Sequence, residues 1–541
     1  MRAVSPLALG ASAVVLSALL GGLFGGQVLA TQEDLPRHYD RFAEALAAIE
    51  THYVQEVDTE RLIYRAIGGM LQTLDPHSNF MDPRSYSQLR ERQEGRYYGL
   101  GISINVIDGD ITVMSLFEGS PAYRSGIRRG DVIARISGQN AKDMSSDDAV
   151  RLLRGPRGTA VGISIRRTGY DELIEMTVER DEITIATVEA AFLTDDRTGY
   201  VKLGDFSGAS DRDLNAALDR LRDAGMERLI LDLRNNPGGP LDQAIKVSNQ
   251  FLPRGDLIVY TRGRVDNSDQ DYHATREGEF TDVPLVVIVN RNSASASEIV
   301  AGAVQDHDRG LIVGETTFGK ALVQSIYRVS HGAGLALTTA RYYTPSGRMI
   351  QRPWDGTFDE YLTYSMREQS PRAHTPSERK YTTGGRVVFS GGGIEPDHHV
   401  SGPIEGFDPS RFGRLLAARQ EFASFAERFS AAGDSRVAVA GRGRKVVSRG
   451  FAIDGVLLDE FKAHVRDRGL TVDDEQFDAD IEFVTAMLRY QIDVALFGVE
   501  EARRNLFDVD PQIRRASALF DAAERLLEGA GQPAVVAAGL D

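Results

Sequence analysis

The sequence predicts a multidomain α/β protein with an inserted β-rich domain and helical regions at both ends. Its 541 residues exceed what one hydrophobic core accommodates, so the chain should divide into several domains. Apolar strands alternate with helical patterns over residues 183–404, which is typical of an α/β domain with a largely buried sheet. Residues 95–182 instead contain short β runs separated by glycine-rich turns. Helical spacing of apolar residues dominates residues 31–94 and 405–541.

Composition and charge exclude several classes of function. The chain carries 62 Lys and Arg against 78 Asp and Glu, a formal net charge of −16. It has no long basic block, so nucleic acid is not an expected partner, because phosphate binding needs clustered cations. The absence of cysteine rules out disulfides, thiolate metal sites and a cysteine nucleophile. Neither a metal nor a cofactor is predicted.

The extreme N-terminus predicts export to the periplasm or cell envelope. Residues 6–30 form an uncharged apolar run, PLALGASAVVLSALLGGLFGGQVLA, which Arg2 precedes and Thr31 follows. A charged start, an apolar middle and small residues near the end describe a secretory signal peptide, so residues 1–30 are predicted to be one. The run is also long enough to span a bilayer, and an uncleaved anchor in the inner membrane is therefore the alternative.

The helical region over residues 31–94 is expected to need a partner surface. Phe42, Leu46 and Ile49 recur at helical spacing, and RLIYRAIGGMLQTL, residues 61–74, repeats the pattern. A helical piece this small has little core of its own. We expect it to pack against another domain or a second subunit.

The β-rich segment contains a loop suited to binding a carboxylate. Gly99-Leu100-Gly101-Ile102 precedes a predicted strand. The two glycines let successive backbone N–H groups turn outward and form an anion site, and the edge of the adjoining strand can accept a peptide by strand addition. A plain β-turn is the alternative interpretation of these four residues.

Two further features accompany this loop. They are SPAYRSGIRRGDVIARISGQN, residues 120–140, and a helix predicted over Asp147–Leu153. With the loop at Gly99 to Ile102, they resemble the conserved pattern of PDZ domains. The resemblance implies that residues 95–182 form a PDZ-like domain and that Gly99, Leu100, Gly101 and Ile102 bind the C-terminus of a substrate.

The α/β segment is predicted to begin with a hinge near residues 183–195 and to carry a polar surface insertion at residues 353–390. Apolar runs and helical spacing define its elements. Strands are predicted at Leu229–Leu233, Val283–Val289 and Leu311–Val313, and helices at Asp242–Phe251 and Ser295–Asp306.

Three closely spaced serines, Ser293, Ser295 and Ser297, follow an apolar strand. Ser295 falls at the predicted junction of strand and helix, where backbone N–H groups point outward and the helix dipole favours developing negative charge. Its small neighbours Ala294 and Ala296 leave room for a substrate backbone. Capping or turn roles are the alternative, because serine is common at the start of helices.

Lys320 is the candidate base for such a serine. It follows Phe318 and Gly319 and has Leu322 and Val323 as apolar neighbours. An ordinary lysine, with a pKa of about 10.4, is protonated at neutral pH and cannot accept a proton. Burial among apolar groups lowers the pKa, and the neutral amine can then deprotonate a serine without a histidine. A surface lysine in a glycine-containing turn is the alternative.

The segment SASASEIVAGAVQDHDRGLIVGETTFGKALVQ, residues 293–324, resembles the catalytic block of the C-terminal processing peptidases, also called tail-specific proteases. The resemblance implies a crotonase- or ClpP-like α/β protease core. It also implies that Ser295 is the nucleophile, that Lys320 is the base and that Gln324 orients the lysine. The spacing between Ser295 and Lys320 is that of the family, and Ser293 and Ser297 fall outside these roles.

The segment LILDLRNNPGGPLDQA, residues 229–244, resembles the oxyanion loop of the same family. The resemblance implies that the N–H groups of Gly239 and Ala296 stabilise the tetrahedral oxygen. A tight loop would need the same glycines. The chain departs from the family pattern at Ala321, where glycine is usual, and at Pro237 and Pro240.

The resemblance covers much of the chain through further segments at residues 66–83, 337–351 and 391–400, but residues 405–541 match nothing in the family. It implies an exported serine endopeptidase that recognises protein C-termini through its PDZ domain and cleaves unfolded or tail-bearing proteins near that end. Protein or peptide substrates are the expected partners, together with a second copy bound through the terminal helices. The alternative is a PDZ-bearing scaffold protein whose protease fold is inactive or gated by a partner.

Overall fold

The computed structural model describes most of the chain, which divides into two compact units, Met1–Asp82 and Pro83–Asp541. The described residues are 36–107, 109–117, 119–167, 169–354, 361, 363–364, 372–431 and 448–529. The predicted signal peptide or anchor, residues 1–30, lies outside them. Within the described ranges, no helix combines the length and the apolar character needed to cross a membrane.

The first unit is mainly helical, in keeping with its apolar spacing. Its elements are helix α1 over residues 36–52, helix α2 (Thr59–Gln72) and strand β1 (Asn79–Met81). Helix α2 begins where the Asp58 side chain accepts a hydrogen bond from the N–H of Arg61, a donor that the helix itself leaves unpaired. Asp75 accepts the N–H groups of His77 and Ser78, so this sequence forms a tight turn.

The β-rich segment forms a small domain around an antiparallel sheet. Its elements are α3 (Pro83–Glu94), β2 (Arg96–Gly99), β3 (Ile102–Ile107), β4 (Asp110–Leu116), α4 (Pro121–Arg124), β5 (Val132–Ile136), β6 (Gln139–Asn140), α5 (Ser146–Leu153), β7 (Ala160–Arg166), β8 (Ile174–Glu179) and β9 (Asp181–Thr184). The strand order is β3-β4-β5-β7-β8, with β6 beside β5 and β2 paired with β9. Ile111, Val113, Ile133 and Ile163 share its buried core.

Paired strands occupy much of the segment for which the sequence predicts a hinge. Strand β9 ends at Thr184, and strand β10 (Val188–Leu193) pairs antiparallel with the next strand, β11 (Thr198–Leu203). Only residues 185–187 connect β9 to β10 without belonging to a strand. The predicted hinge over residues 183–195 therefore includes parts of two strands, and it stays a prediction that concerns residues 185–187 most directly.

The α/β domain contains the largely parallel sheet that the sequence predicts. Its strand order is β10-β11-β12-β15-β16-β21, and every neighbouring pair after β10 and β11 is parallel. The remaining strands of the sheet and the helices that follow them are β12 (Arg228–Asp232), β15 (Leu285–Val289), β16 (Leu311–Gly314), β21 (His398–His399), α6 (Ser210–Asp223), α7 (Leu241–Asn249) and α8 (Ala296–Asp306).

Both faces of this sheet are buried. Leu231 and Val287 belong to the core shared with α6, α7 and α8, whereas Ile230 and Val286 belong to a second core on the opposite face. This alternation follows from the two-residue period of strand side chains. It explains why the strands read as continuous apolar runs in the sequence.

A second, antiparallel group of strands lies beside the parallel sheet and carries part of the candidate site. Its strand order is β17-β18-β13-β14. These strands are β13 (Leu257–Gly263), β14 (Gln270–His273), β17 (Leu322–Arg328) and β18 (Gly334–Tyr343). Because β17 begins two residues after Lys320, its pairing with β18 sets the direction in which the chain leaves that lysine.

The polar stretch 353–390 is only in part the surface loop that the sequence predicts. It includes the hairpin formed by β19 (Arg379–Tyr381) and β20 (Val387–Phe389). Tyr361 is only 3% exposed, and its ring contacts that of Phe318 in an edge-to-face arrangement at a centroid distance of 5.4 Å. The prediction missed this because the surrounding residues are polar.

The C-terminal region is helical, as predicted, and has two parts. Helices α9 (Arg411–Ala418), α10 (Glu421–Ala431), α11 (Gly455–Asp467), α12 (Asp474–Ala479), α13 (Ile481–Phe497), α14 (Val499–Phe507), α15 (Pro511–Ser517) and α16 (Phe520–Gly529) make it up. The helices up to α13 share an aromatic core that includes Phe461 and Phe483. Phe507, Ile513 and Phe520, from α14 to α16, instead cover the second face of the parallel sheet.

Replacing Phe520 by alanine tests whether these last helices are part of the α/β core. Phe520 is 1% exposed, so we expect Phe520→Ala to lower the free energy of unfolding by about 3–5 kcal/mol. The only tryptophan of the chain, Trp354, packs against Tyr361, and its fluorescence during urea unfolding reports on this domain. Phe117→Ala, at a residue 39% exposed, is the matched control. Equal urea midpoints for the two variants would contradict this description of the core.

Candidate active site

Ser295 stands where strand β15 gives way to helix α8. Its backbone has φ 53° and ψ −110°, in a region that non-glycine residues rarely adopt. Strain of this kind concentrates at functional sites. The helix that follows is buried along its whole length, whereas Ser295 itself is half-buried. The turn therefore presents this side chain outside the packed helix.

The other two serines of the cluster are structural. Ser293 is fully buried and its hydroxyl donates to the carbonyl of Leu233 at 2.8 Å. Ser297 is also fully buried and donates to the carbonyl of Asn236 at 3.0 Å. The hydroxyl oxygen of Ser295 faces the backbone N–H of Glu298 in a capping box, and among the described residues no acceptor takes the proton of this hydroxyl. Ser293 and Ser297 thus donate their hydroxyl protons to backbone carbonyls, whereas Ser295 donates to none among the described residues.

Lys320 and Gln324 lie together at the start of strand β17. The Lys320 Nζ atom donates to Gln324 Oε1 at 3.0 Å. Both side chains are half-buried, and the neighbouring Ala321 and Leu322 are buried. The amine is thus partly withdrawn from solvent and held by the glutamine that the sequence comparison with the family singles out. The methyl group of Ala321, where the family usually has glycine, fits within this packing.

Glu298 connects the serine to the lysine through their backbones. Its fully buried carboxylate accepts the N–H of Ser295 at 2.8 Å and the N–H of Lys320 at 2.9 Å. It also accepts the N–H of Gly319 at 2.7 Å and the hydroxyl of Thr317 at 2.5 Å. One side chain on α8 therefore holds the loop that carries the lysine.

The pKa of Glu298 is raised above its ordinary value, although two opposing effects act on it. Burial raises its pKa, and the hydrogen bonds from Thr317 and from the three backbone N–H groups act in the opposite direction. The Thr317 hydroxyl itself accepts the N–H of Ile394 at 2.6 Å, so its proton is directed to Glu298. All four groups donate to Glu298, and the three backbone N–H groups among them cannot accept a proton in return, so this arrangement favours the carboxylate form.

Tyr342 of strand β18 makes a second connection. Its hydroxyl lies 2.5 Å from the carbonyl oxygen of Lys320 and 3.2 Å from that of Ser295. The one hydroxyl proton of Tyr342 is therefore donated to both carbonyl oxygens. Burial, followed by the charge of Glu298, raises the pKa of Tyr342 well above its usual value. The phenol therefore remains a donor at any pH at which a protease of this kind would work.

Residues after β18 hold the lysine loop from another side. Gln351 accepts the N–H of Ala321 at 2.8 Å. The guanidinium of Arg352 donates to the carbonyls of Phe318 at 2.8 Å and Thr317 at 3.2 Å. Sequence reasoning missed these partners as well as Glu298 and Tyr342. The motifs containing Gln351 and Glu298 resemble the family, but a motif does not show which backbone groups a side chain contacts.

The glycine loop after β12 runs against the serine. At Gly238, where φ is +88°, an added Cβ would lie 2.6 Å from the carbonyl oxygen of Ala294 and 2.7 Å from the backbone nitrogen of Ala296. At Gly239 it would lie 2.1 Å from the carbonyl oxygen of Phe206. Neither position can accept a side chain without moving backbone, so both glycines are required by close packing.

Some backbone N–H groups of the glycine loop and the Ser295 turn donate hydrogen bonds within the protein, and others do not. The N–H of Gly238 donates to the side chain of Asn236 at 2.9 Å. No hydrogen bond between described residues uses the N–H of Gly239 or of Ala296. These two N–H groups are the ones to which the family resemblance of the sequence assigns an oxyanion role.

The predicted carboxylate loop contains a glycine in the left-handed region and two backbone N–H groups without a partner among the described residues. Gly101 has φ +75°, and an added Cβ there would lie 2.3 Å from the Cβ of Ser120. The carbonyl of Leu100 accepts the N–H of Ala122 at 3.0 Å, and that of Gly101 accepts the N–H of Phe117 at 3.0 Å. Within the described ranges, no hydrogen bond uses the N–H of Leu100 or Gly101.

The loop is flanked by the elements that a peptide would need. Gly99 is the last residue of β2 and Ile102 the first of β3. Strand β3 pairs with β4 along one edge, and no other described strand pairs with it. Its open edge and the loop are thus available for strand addition.

Family models match three consecutive parts of the chain. The model described as peptidase family S41 matches residues 197–357, and the PDZ domain model matches residues 88–166. The model of the activating protease CtpB N-terminal domain matches residues 26–85.

Similar proteins agree with these matches. A carboxy-terminal-processing protease of Bartonella bacilliformis is 40% identical over 316 residues, which cover 58% of this chain and 72% of that protein. The carboxy-terminal processing protease CtpA of Bacillus subtilis is 34% identical over 345 residues, covering 63% and 73% respectively. A solved photosystem II D1 C-terminal processing protease is 28% identical, covers 68% of this chain and 93% of its own, and gives a TM-score of 0.34. The identity with the Bartonella and Bacillus proteins over more than two thirds of their lengths shows that the chain belongs to the carboxy-terminal processing proteases, serine-type peptidases of family S41 that carry a PDZ domain.

Proposed function

We propose that this protein is an exported endopeptidase in which Ser295 attacks the scissile carbonyl and Lys320 takes up the serine proton. The observation that carries the proposal is the pair of buried groups, Glu298 and Tyr342, that bind the backbones of both residues. Such connections hold a nucleophile and its base in a fixed relation without occupying the reactive side-chain atoms.

The reaction follows the usual course of acyl transfer. The neutral Lys320 amine, oriented by its hydrogen bond to Gln324, accepts the proton as the Ser295 oxygen bonds to the carbonyl carbon. The resulting ammonium donates this proton to the leaving amine when the tetrahedral species collapses. Water then attacks the acyl-enzyme with Lys320 as base, which releases the new C-terminus and restores the free serine.

The N–H groups of Gly239 and Ala296 would stabilise the oxygen that becomes negative. They are unused donors beside Ser295, and Ala296 is the first residue of helix α8, whose dipole favours negative charge at that end. Each such donor is worth about 10²- to 10³-fold in rate. The glycines leave the loop close enough to the serine for a substrate carbonyl to meet both groups.

Substrate choice would begin in the PDZ domain. The unused N–H groups of Leu100 and Gly101, between Gly99 and Ile102, suit the carboxylate of a protein C-terminus. A bound tail extends along the open edge of β3, and an unfolded segment of the same protein then reaches Ser295.

The signal pattern in residues 1–30 supports export to the periplasm or cell envelope, with cleavage and inner-membrane anchoring as the two alternatives. Dimerisation through the terminal helices remains a prediction.

Single substitutions of the two reacting residues test the dyad. We expect Ser295→Ala and Lys320→Ala each to reduce hydrolysis of casein by about 10⁴-fold or more, because nucleophile and base act as one unit. Thermal melting should change little, since neither variant removes a fully buried side chain. Ser377→Ala, at an exposed serine followed three residues later by a lysine, is the matched control and should keep full activity.

Retained activity in either dyad variant would rule out the proposed chemistry. Inactivity of the wild-type protein on several unfolded proteins, combined with tight binding of their C-termini, would favour the scaffold alternative. A rate that rises only when a separate C-terminal peptide is added would favour the partner-gated alternative.

Glu298→Gln tests the connection between the two reacting residues. The amide keeps the shape but places N–H donors against the N–H donors of Ser295 and Lys320, so at least one buried hydrogen bond is lost. We expect a kcat lower by about 10- to 100-fold at nearly constant KM, measured on a fluorogenic peptide. A change in KM alone would show that Glu298 acts on substrate binding instead.

The PDZ assignment is tested with peptides that differ only at their last group. A peptide with a free C-terminal carboxylate should bind the Ser295→Ala protein more tightly than its C-terminal amide by about tenfold or more, because charge-assisted hydrogen bonds to Leu100 and Gly101 are lost. Isothermal titration calorimetry measures both affinities on the intact chain. Equal affinities would exclude the Gly99–Ile102 loop as a carboxylate site.

A further inference from the structure

Arg234 is a buried cation just after strand β12, before the glycine loop. It is 2% exposed, and its Nη2 atom lies 2.6 Å from Asp232 Oδ2. Burial alone would raise the pKa of Asp232, but the charges of Arg234 and Lys202 hold it well below its ordinary value. One side of the guanidinium is therefore neutralised by a carboxylate two residues earlier in the chain.

The other side of the guanidinium is satisfied by the C-terminal region. Arg234 Nη1 donates to Asp510 Oδ2 at 2.6 Å and to Gln512 Oε1 at 3.0 Å. Both partners are fully buried. Asp510 Oδ1 accepts the N–H groups of Gln512 at 2.8 Å and Ile513 at 3.2 Å, so the same carboxylate also begins helix α15. A residue 276 positions away in sequence thus completes the shell around Arg234.

Glycines in the neighbouring backbone leave room for the side chains of Asp510 and Gln512. At Gly406 an added Cβ would lie 2.0 Å from Asp510 Oδ1, and at Gly402 it would lie 2.7 Å from Gln512 Nε2. That nitrogen donates to the carbonyl of Val400 at 2.8 Å. Two glycines and a carbonyl therefore shape the space around the Asp510 and Gln512 side chains, and the ion pair with Arg234 lies in the protein interior.

The residues after Arg234 lead directly to the oxyanion donors. The Asn236 carbonyl accepts the N–H of Ala294 at 3.0 Å, and its side chain accepts the N–H of Gly238 at 2.9 Å. The Gly238 position is in turn packed against the nitrogen of Ala296. The loop is thus attached to the serine turn at one end and to Arg234 at the other.

We propose that Asp510 is a positioning residue for the oxyanion loop, residues 234–239, and that the C-terminal helical region is therefore required for the chemical step. The proposal rests on the function proposed above, because it concerns the donor group of Gly239. Without Asp510, Arg234 has a buried charged nitrogen with one acceptor fewer and is drawn toward other acceptors. A shift of about 1 Å in the loop that follows is enough to lower the rate by about 10²-fold.

Asp510→Asn is the direct test. Asparagine keeps the volume and the Oδ1 acceptor for α15, but it replaces Oδ2 by an NH2 group that faces Arg234 Nη1. We expect kcat on a fluorogenic peptide to fall by about 10- to 100-fold while KM changes by less than about twofold. The inhibition constant of a peptide boronate should weaken by a similar factor, because its tetrahedral adduct with Ser295 uses the same oxyanion donors.

Asp480→Asn is the matched control. Asp480 is also buried, at 6% exposed, and its carboxylate accepts hydrogen bonds from Ser410 and Gly413 inside the C-terminal region. We expect this variant to melt at a lower temperature while kcat and the boronate inhibition constant stay at wild-type values. A kcat for Asp510→Asn within about twofold of wild type would overturn the proposal, as would equal kcat losses in the two variants.

A second variant keeps the test decisive if Asp510→Asn does not fold. Gln512→Met removes the other acceptor of Arg234 Nη1 at similar volume and leaves the ion pair with Asp510 intact. It should lower kcat several-fold at constant KM, and an unchanged kcat would count against the proposal. Activity in Ser295→Ala would instead overturn the proposed function itself, so the two failures are distinguishable.

Discussion

The candidate site depends on one buried carboxylate. Glu298 accepts four hydrogen bonds, and two of them come from the backbone N–H groups of Ser295 and Lys320. Moving a carboxylate out of water costs several kcal/mol, which the four donors offset only if all of them stay in place. The four hydrogen bonds to Glu298 therefore favour a single arrangement of the two loops and disfavour any that releases a donor. Tyr342 reinforces this arrangement through the carbonyls of the same two residues.

The backbone N–H groups near the candidate sites fall into two sets, those that donate to side chains of the protein and those that have no acceptor among the described residues. Those of Ser295, Gly319, Lys320 and Gly238 are consumed by side chains that hold the loops together. Those of Gly239 and Ala296 beside the serine, and of Leu100 and Gly101 in the PDZ domain, have no acceptor among the described residues. Unused donors are costly unless solvent or a ligand meets them, because backbone donors in folded proteins are nearly always paired. The N–H groups of Gly239 and Ala296, and those of Leu100 and Gly101, are therefore available to oxygen atoms of a ligand.

Local sequence predicted most of the strands and helices around the site and singled out Ser295 and Lys320 as candidate reacting residues, but it did not show which groups hold their backbones. Helix α8 begins at Ala296, one residue after its predicted start, because Ser295 has a positive φ that no helix contains. Lys320 and Gln324 follow from a motif with a short, regular spacing. Glu298 belongs to the same motif, but the motif does not show that its carboxylate binds Thr317, Gly319 and Lys320. These contacts depend on the three-dimensional arrangement of β15, α8 and β17. The burial of Tyr361 could not be predicted from its polar neighbours in sequence, because it too depends on contacts between distant parts of the chain.

The position of the C-terminal region follows from the sheet rather than from any motif. Ile230 and Leu231 are adjacent in β12 and both fully buried, so apolar groups must cover each face of the sheet. Helices α6 to α8 cover one face, and Phe507, Ile513 and Phe520 supply the other. Once α14 to α16 lie there, the turn at Asp510 necessarily reaches the carboxyl end of β12, where parallel strands place their functional loops. A region without recognisable motifs is thereby brought against Arg234. The need to bury both faces of the sheet thus produces a contact with the loop that packs against the Ser295 turn.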